Sequence, residues 1–335
     1  MEYKLEITKK LEDLGDQLDS DDFVAILNLP DANLCSKRGE MVELPDGARR
    51  QACKDCITQK VKLGERLSKG EVMEAIDYFA FEWGTRFITV NGRGEVFHPG
   101  IREMTLWKIR YAALKGIQSY IFTPGNDLDQ NVSRTLANYG VNVMMSLRGN
   151  PFIDADFFDG KTYSVPDDPS LQNPAMIAGK LRGLIMAYKE SPKQSEEGTT
   201  RIGMNYSVSE DDLKNPEKLR ELKESANTNG IFFVCNTDFK PHTDKEVQAQ
   251  LGALSREYTD FHQSHSTGVN GQCQMGAGSS ATVDFDGRMF RCPYFMGKGD
   301  GKFQYMTDEQ RKKVVTKYIT DREFACALRR TLITV

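Results

Sequence analysis

The stretch QSYIFTPGNDLDQNVSRTLANYGVNVMMS, Gln118–Ser146, decides the fold. It opens with an apolar run of β-forming residues (118–123), turns through Pro-Gly-Asn-Asp, continues in a helical pattern (128–138) and ends in a second apolar run (141–146). A strand, a helix and a strand in so short a span predict two parallel strands joined by a right-handed crossover. Outward from this unit the alternation repeats. Upstream lie the strand candidates FVAILNL (23–29) and RFITVN (86–91), with helical patterns at 70–83 and 102–115. Downstream lie RIGMNY (201–206) and IFFVC (231–235), with helical patterns at 174–189, 210–228 and 243–258. Six successive β-then-α units build either an open doubly wound sheet or an incomplete barrel. In both, ligands gather at the C-terminal ends of the strands. The polar motifs fall there. Cys35 follows strand one, NGRGE (91–95) ends strand two, TPGND (123–127) ends strand three and SLRG (146–149) ends strand four.

The flanks differ from this body. Ile7, Leu11, Leu14 and Leu18 stand at helical spacing and predict an amphipathic leader helix over 3–18. After 258 a Gly/Ser/His-rich stretch leads into ATVDFDGRMFRC (281–292), which reads as a hairpin turning at Asp286-Gly287. Helical pieces follow near 307–318 and 321–330. The expected divisions are 1–21, 22–258 and 259–335, and there are no internal repeats.

Composition narrows the function. The chain has 335 residues, 39% of them hydrophobic, enough for a full core. A net charge of −4 does not suit phosphate neutralisation, so no nucleic-acid partner is expected. No apolar run reaches the roughly 18 residues of a membrane span, and the charged N-terminus has no signal-peptide core. Cytoplasmic residence follows as the expectation, and there thiols stay reduced. Seven cysteines, an odd number, fit a disulfide framework poorly.

Three of those cysteines form the pattern Cx17CxxC: Cys35, Cys53 and Cys56. Structural zinc wants four ligands, commonly two spaced pairs, and none of His98, His242, His262 or His265 is local. A thioredoxin-like dithiol would follow its strand directly, whereas this pair stands about 24 residues beyond strand one. Three thiolates without a fourth ligand suit a [4Fe–4S] cluster with one open iron. Zinc and inert thiols remain the alternatives.

Three cysteines after the first strand of six β/α units resemble the radical S-adenosylmethionine (SAM) superfamily. Its usual signature is CxxxCxxC with an aromatic residue before the last cysteine; this chain has the longer spacing and Asp55 there. VNGRGEVFHPG (90–100) resembles the family's GGEP segment, which binds the SAM amino group: Gly92, Gly94 and Glu95 match, and Val96 replaces the proline. MMSLRGN (144–150) resembles the segment in which a serine touches the ribose and a basic residue holds the SAM carboxylate, here Ser146 and Arg148. Asn205 is a further ribose candidate. TPGND resembles the family's TNG turn and is expected to be structural. The second cysteine set, Cys273 and Cys292, reads Cx13Gx4C with Gly287 inside it, which resembles the opening of the SPASM and twitch extensions. The later SPASM cysteine run is absent, so the resemblance is to the shorter twitch form, with Cys273, Cys292 and Cys326 as ligands of an auxiliary iron–sulfur cluster.

The resemblance implies a partial (β/α)6 TIM-like barrel with a small C-terminal α+β auxiliary domain. It implies a [4Fe–4S] cluster chelating SAM, reduction by a flavodoxin or ferredoxin, and a 5′-deoxyadenosyl radical that takes a substrate hydrogen. Relatives of this architecture mostly modify peptides or proteins by crosslinking, oxidation or epimerisation, and that is the expected activity. Dehydrogenation or epimerisation of a small molecule such as an amino sugar or nucleotide is the alternative. From another class stands a non-catalytic zinc-binding β/α module. Cys235 is expected in the core, with a lesser reading as a hydrogen-atom donor facing the cavity. Tyr206, Asp238 and Tyr294 are further cavity candidates, and His265 a further auxiliary ligand.

Overall fold

The structure, a computed structural model, describes residues 2–31, 34–35, 41–43, 49–51, 66–90, 94–148, 153, 155–158, 173–237, 245–246, 249–250, 253, 280–290 and 301–320. In chain order the strands are β1 (Lys4–Leu5), β2 (Ile26–Asn28), β3 (Met41–Glu43), β4 (Arg49–Gln51), β5 (Phe87–Thr89), β6 (Gln118–Thr123), β7 (Asn142–Arg148), β8 (Thr199–Thr200), β9 (Ile202–Val208), β10 (Phe232–Thr237), β11 (Ser280–Val283) and β12 (Met289–Phe290). The helices are α1 (Glu6–Glu12), α2 (Lys69–Glu82), α3 (Arg102–Leu114), α4 (Gln130–Tyr139), α5 (Pro174–Glu190), α6 (Glu210–Lys214), α7 (Pro216–Thr228) and α8 (Asp308–Thr320).

Strand order settles the architecture. The main sheet runs β10-β9-β7-β6-β5-β2-β11-β12, parallel through β11 and antiparallel at its β12 edge. A doubly wound sheet reverses its order at a switch point. Here the six β/α strands succeed one another in chain order without reversal, as in a partial barrel. The hairpin expected after residue 280 forms, with Gly287 at φ +84 in its turn. It does not make a sheet of its own: β11 lies parallel against β2, Ser280 opposite Ile26 and Thr282 opposite Asn28.

Period-two alternation gives the sheet two apolar faces. On one, Val143, Met145 and Leu147 of β7 pack with Val132 and Leu136 of α4 and Ile177, Leu181 and Leu184 of α5. On the other, Met144 packs with Ile26, Phe87 and Val234 against Leu5, Ile7 and Leu11. So α1 covers the inner face while the crossover helices cover the outer one. Its seat is at the N-terminal strand ends, where the Asn142 side chain accepts a hydrogen bond from Ile7 N at 3.0 Å. Glu6, fully buried, meets the Arg201 guanidinium there (Nε–Oε2 2.7 Å) together with Lys10 and Gln118. Burial pushes the Glu6 carboxyl up, but the Lys10, Arg201 and Gln118 contacts outweigh it and hold the group below its ordinary range.

Local chemistry fixes the helix starts. Ser68 and Glu71 close a capping box on α2, Asp129 accepts from Val132 N at 2.8 Å to start α4, and Asn173 caps α5 ahead of Pro174. The helical stretch expected over 210–228 is two helices. Pro216 has no N–H to donate and disfavours helical dihedrals at Asn215, which sits at φ −133, ψ 73 between α6 and α7. The leader is also shorter than its periodicity suggests: α1 stops at Glu12, and a 3-10 turn (Gly15–Asp19) carries the rest.

Candidate active site

The C-terminal rim of the sheet gathers the site, beginning where β2 runs out. Lys108 of α3, a core-buried lysine, reaches this strand end with its ammonium 3.2 Å from Leu29 O, 3.4 Å from Pro30 O and 3.4 Å from Asp31 Oδ2. Thr105 Oγ1 donates to the same carboxylate at 3.2 Å. Desolvation pulls the Lys108 ammonium below its ordinary range, and Asp31 opposes that pull. Asp284, just past β11, is buried close enough to act on it as well. The chain is thus gripped four residues before Cys35.

The next grip comes from the end of β5. Glu95 N donates to Leu34 O at 2.8 Å. A Cβ on Gly94 would overlap Leu34 O, and one on Gly100 would stand 2.9 Å from Leu34 Cδ1. Only glycine lets the two backbones approach so closely. Leu34, the residue before Cys35, therefore lies clamped between two glycines of VNGRGEVFHPG. The structure thus brings the residue before the first cysteine into direct contact with the glycine-glutamate motif.

Glu95 itself is 2% exposed. Its Oε1 accepts from Thr123 Oγ1 at 2.7 Å and from Phe97 N at 3.3 Å. Among the described residues its buried Oε2 has no hydrogen-bond partner. Burial raises the carboxyl to about 7, against the Thr123 and Phe97 hydrogen bonds, with Asp127 adding to the rise. Thr123 holds its place because its hydroxyl also accepts from Gly125 N at 2.9 Å. Gly125 is at φ +81, a conformation that favours glycine, and a Cβ there would displace Met145 Cε, 2.6 Å away. The TPGND turn is structural, and it also orients Glu95.

Farther along the rim, Ser146 of β7 and Asn205 of β9 are register partners, and Val234 of β10 pairs Asn205. They share the parity of Met144, so both polar residues stand on the inner face, one level above that apolar layer. Arg148 pairs Ser207 one level higher; its side chain lies outside the described residues. Cys235 belongs to the other parity. It is 2% exposed in the helix-side core with Tyr206 and Phe233. That is the placement of a core residue, with its side chain turned from the inner face. Tyr206 does not line the cavity either: it is fully buried on the helix side and donates to Asp212 Oδ1 at 2.9 Å.

Cys53, Cys56, Gly92, Cys273, Cys292 and Cys326 lie outside the described residues, as do Asp238, His262, His265 and Tyr294. Between Cys35 and Cys53, however, β3 and β4 pair antiparallel. Sequence reasoning missed Lys108 and the clamp on Leu34. A lone lysine in an amphipathic helix reads as a solvated charge, and nothing in its spacing announces a buried one.

No protein-family model and no curated protein matches the sequence. Solved structures do match in shape, and these neighbours are radical SAM enzymes. Streptococcus suis SuiB bound to precursor peptide SuiA superposes with a TM-score of 0.57 at 14% identity, over 95% of this chain and 71% of that one. SuiB bound to S-adenosylmethionine gives 0.56 at 12%, over 92% and 71%. Native anSMEcpe with bound AdoMet and Cp18Cys peptide gives 0.55 at 14%, over 92% and 88%. This chain therefore has the partial-barrel fold of these neighbours, with its six β/α strands in chain order across the sheet.

Proposed function

We propose that the chain is a radical SAM enzyme acting on a peptide or protein. One observation carries the reading. The loop into Cys35 is locked against Gly94 and Glu95, and among the described residues one buried carboxylate oxygen of Glu95 has no partner. A buried acceptor without a donor is costly, about 1–3 kcal/mol, and an ammonium group supplies that donor. The residues present therefore fit the amino end of SAM beside a cysteine-bound cluster. On this reading Cys35, Cys53 and Cys56 hold a [4Fe–4S] cluster. Gly92 and Gly94 open backbone toward the ligand and Glu95 takes its ammonium. Ser146 and Asn205 face its ribose, and Arg148 takes its carboxylate. When bound, the two groups supply one-electron cleavage of SAM and hydrogen abstraction.

The chain's own part is positioning and exclusion. Glu95 sheds its proton as the ammonium arrives, and Thr123 keeps the carboxylate aimed. Below the polar pair, Phe122, Met144, Phe232 and Val234 form an apolar inner wall that keeps water from the reacting centre. A peptide is the favoured substrate class because SuiB and anSMEcpe, which share the fold, have structures with bound peptides. Cys273, Cys292 and Cys326 would hold an auxiliary cluster, with Cys292 two residues beyond β12. A flavodoxin or ferredoxin in the cytoplasm would deliver the electron.

The test is anaerobic reconstitution with iron and sulfide, followed by reduction, addition of SAM and assay of 5′-deoxyadenosine. Wild type should form it and Cys53→Ala should not. Cys273→Ala should hold one cluster's worth less iron. Zinc retained in place of iron, with no 5′-deoxyadenosine, would refute the proposal.

A further inference from the structure

Resting on that reading, we infer that the β3–β4 ladder is a clasp that makes Cys35 and Cys53 neighbours and so restores the short cysteine loop of the family in space. The family signature leaves three residues between its first two cysteines; this chain has seventeen. Those seventeen contain an antiparallel pair in the register Met41 to Gln51, Val42 to Arg50 and Glu43 to Arg49. Paired Cα atoms stand about 4.5–5.5 Å apart. Cys35 lies six residues before Met41, and Cys53 two residues after Gln51. Through the ladder, the path between the cysteines is nine steps instead of eighteen. Its extended limit falls from about 60 Å to about 30 Å. Loop-closure statistics then favour the meeting of the two thiolates about threefold from length alone.

Three further features support a clasp. The segment closing the hairpin is LPDGA (44–48), in which Pro, Asp and Gly each favour a turn for a separate steric reason. Glu43 stands opposite Arg49 in register, an acid against a base, which favours this pairing over a slipped one. The hairpin is a sheet of its own, apart from the main sheet. Meanwhile Leu34 is fixed against Gly94 and Gly100, and Lys108 fixes the strand end before it. One side of the loop is anchored to the barrel, and the ladder ties the other side of the loop to the first.

The test uses the full chain with Cys273, Cys292 and Cys326 changed to Ala, so that bound iron reports one site. Two versions are compared with this parent after anaerobic reconstitution. In the trimmed version, residues 44–48 are replaced by Asn-Gly, which keeps the ladder with a two-residue turn. In the unclasped version, Val42→Pro and Glu43→Pro put proline at two successive positions of one strand, so that a ladder donor is lost whichever of the two pairs exchanges the hydrogen bonds, without shortening the loop. Iron and sulfide content at limiting iron, and the paramagnetic resonance of the reduced protein, are the readouts. The trimmed chain should match the parent. The unclasped chain should retain about threefold less iron or lower still. Its far-ultraviolet circular dichroism and thermal midpoint without iron should be unchanged. An unclasped chain that holds as much iron as the parent, or a trimmed chain that loses it, overturns the clasp. A parent that takes up no cluster overturns the functional reading itself, and the clasp with it.

Discussion

Glu95 ties burial to pH through one side chain. Its folded carboxyl titrates near 7 instead of the ordinary 4.5, so between those values the folded state holds a proton that the unfolded chain has released. Stability must then fall as pH rises from about 4.5 to about 7, by on the order of 3 kcal/mol from this group. Glu95→Gln should remove that slope, measured by urea denaturation across the window. On the proposed function the same group predicts that SAM binds more tightly as pH rises through about 7, with proton uptake by buffer below it, readable by calorimetry in two buffers. Lys108 makes a second case. Lys108→Met keeps the bulk but leaves the Asp31 carboxylate buried without its ammonium, and should cost about 3 kcal/mol in chemical denaturation. Gly94→Ala drives a methyl group into Leu34 O and should lower iron retention while the main sheet stays folded, checked by circular dichroism. Glu95 was legible in the sequence because a carboxylate beside glycines at a strand end is a pattern. Lys108 was not, because its partners are carbonyls and an aspartate 77 to 79 residues away.

At the level of elements, the six parallel strands were legible for a physical reason. Buried on both faces, they read as continuous apolar runs, and the crossover helices between them read as amphipathic. What periodicity does not carry is which face an element covers. The apolar stripe of the leader helix was plain but its seat was not: Leu5, Ile7 and Leu11 seal the inner face over Ile26, Phe87, Met144 and Val234. Deleting residues 2–19 should therefore uncover several large side chains, each contributing about 1.5–3 kcal/mol by burial. The expected outcome is loss of soluble monomer, judged by size-exclusion chromatography. A folded, soluble monomer would show that the floor of the barrel stands without α1. The same limit applies to Cys235. Its place in an apolar run was plain, but its side of the sheet depended on strand parity, which only the register reveals.

Across the whole molecule, the pairing of β11 with β2 is what sequence could not announce, since strand partners about 250 residues apart leave no local trace. It means that the C-terminal extension completes the sheet rather than hanging from it. Ala281, Val283, Met289, Phe303, Val314 and Val315 share one cluster with Leu27, Ile76 and Phe79. Ending the chain at residue 258 should leave β2 as a bare edge and expose that cluster, and the product should aggregate, as light scattering would report. The pairing also orders events in time. β2 forms early in synthesis, but its second neighbour emerges only after Val283, and at about 5–20 residues per second that wait is about 10–50 s. Through that interval the strand leading to Cys35 has one side unsatisfied. The rim beside Cys35 is therefore finished by a hairpin made about 250 residues after the strand that it completes.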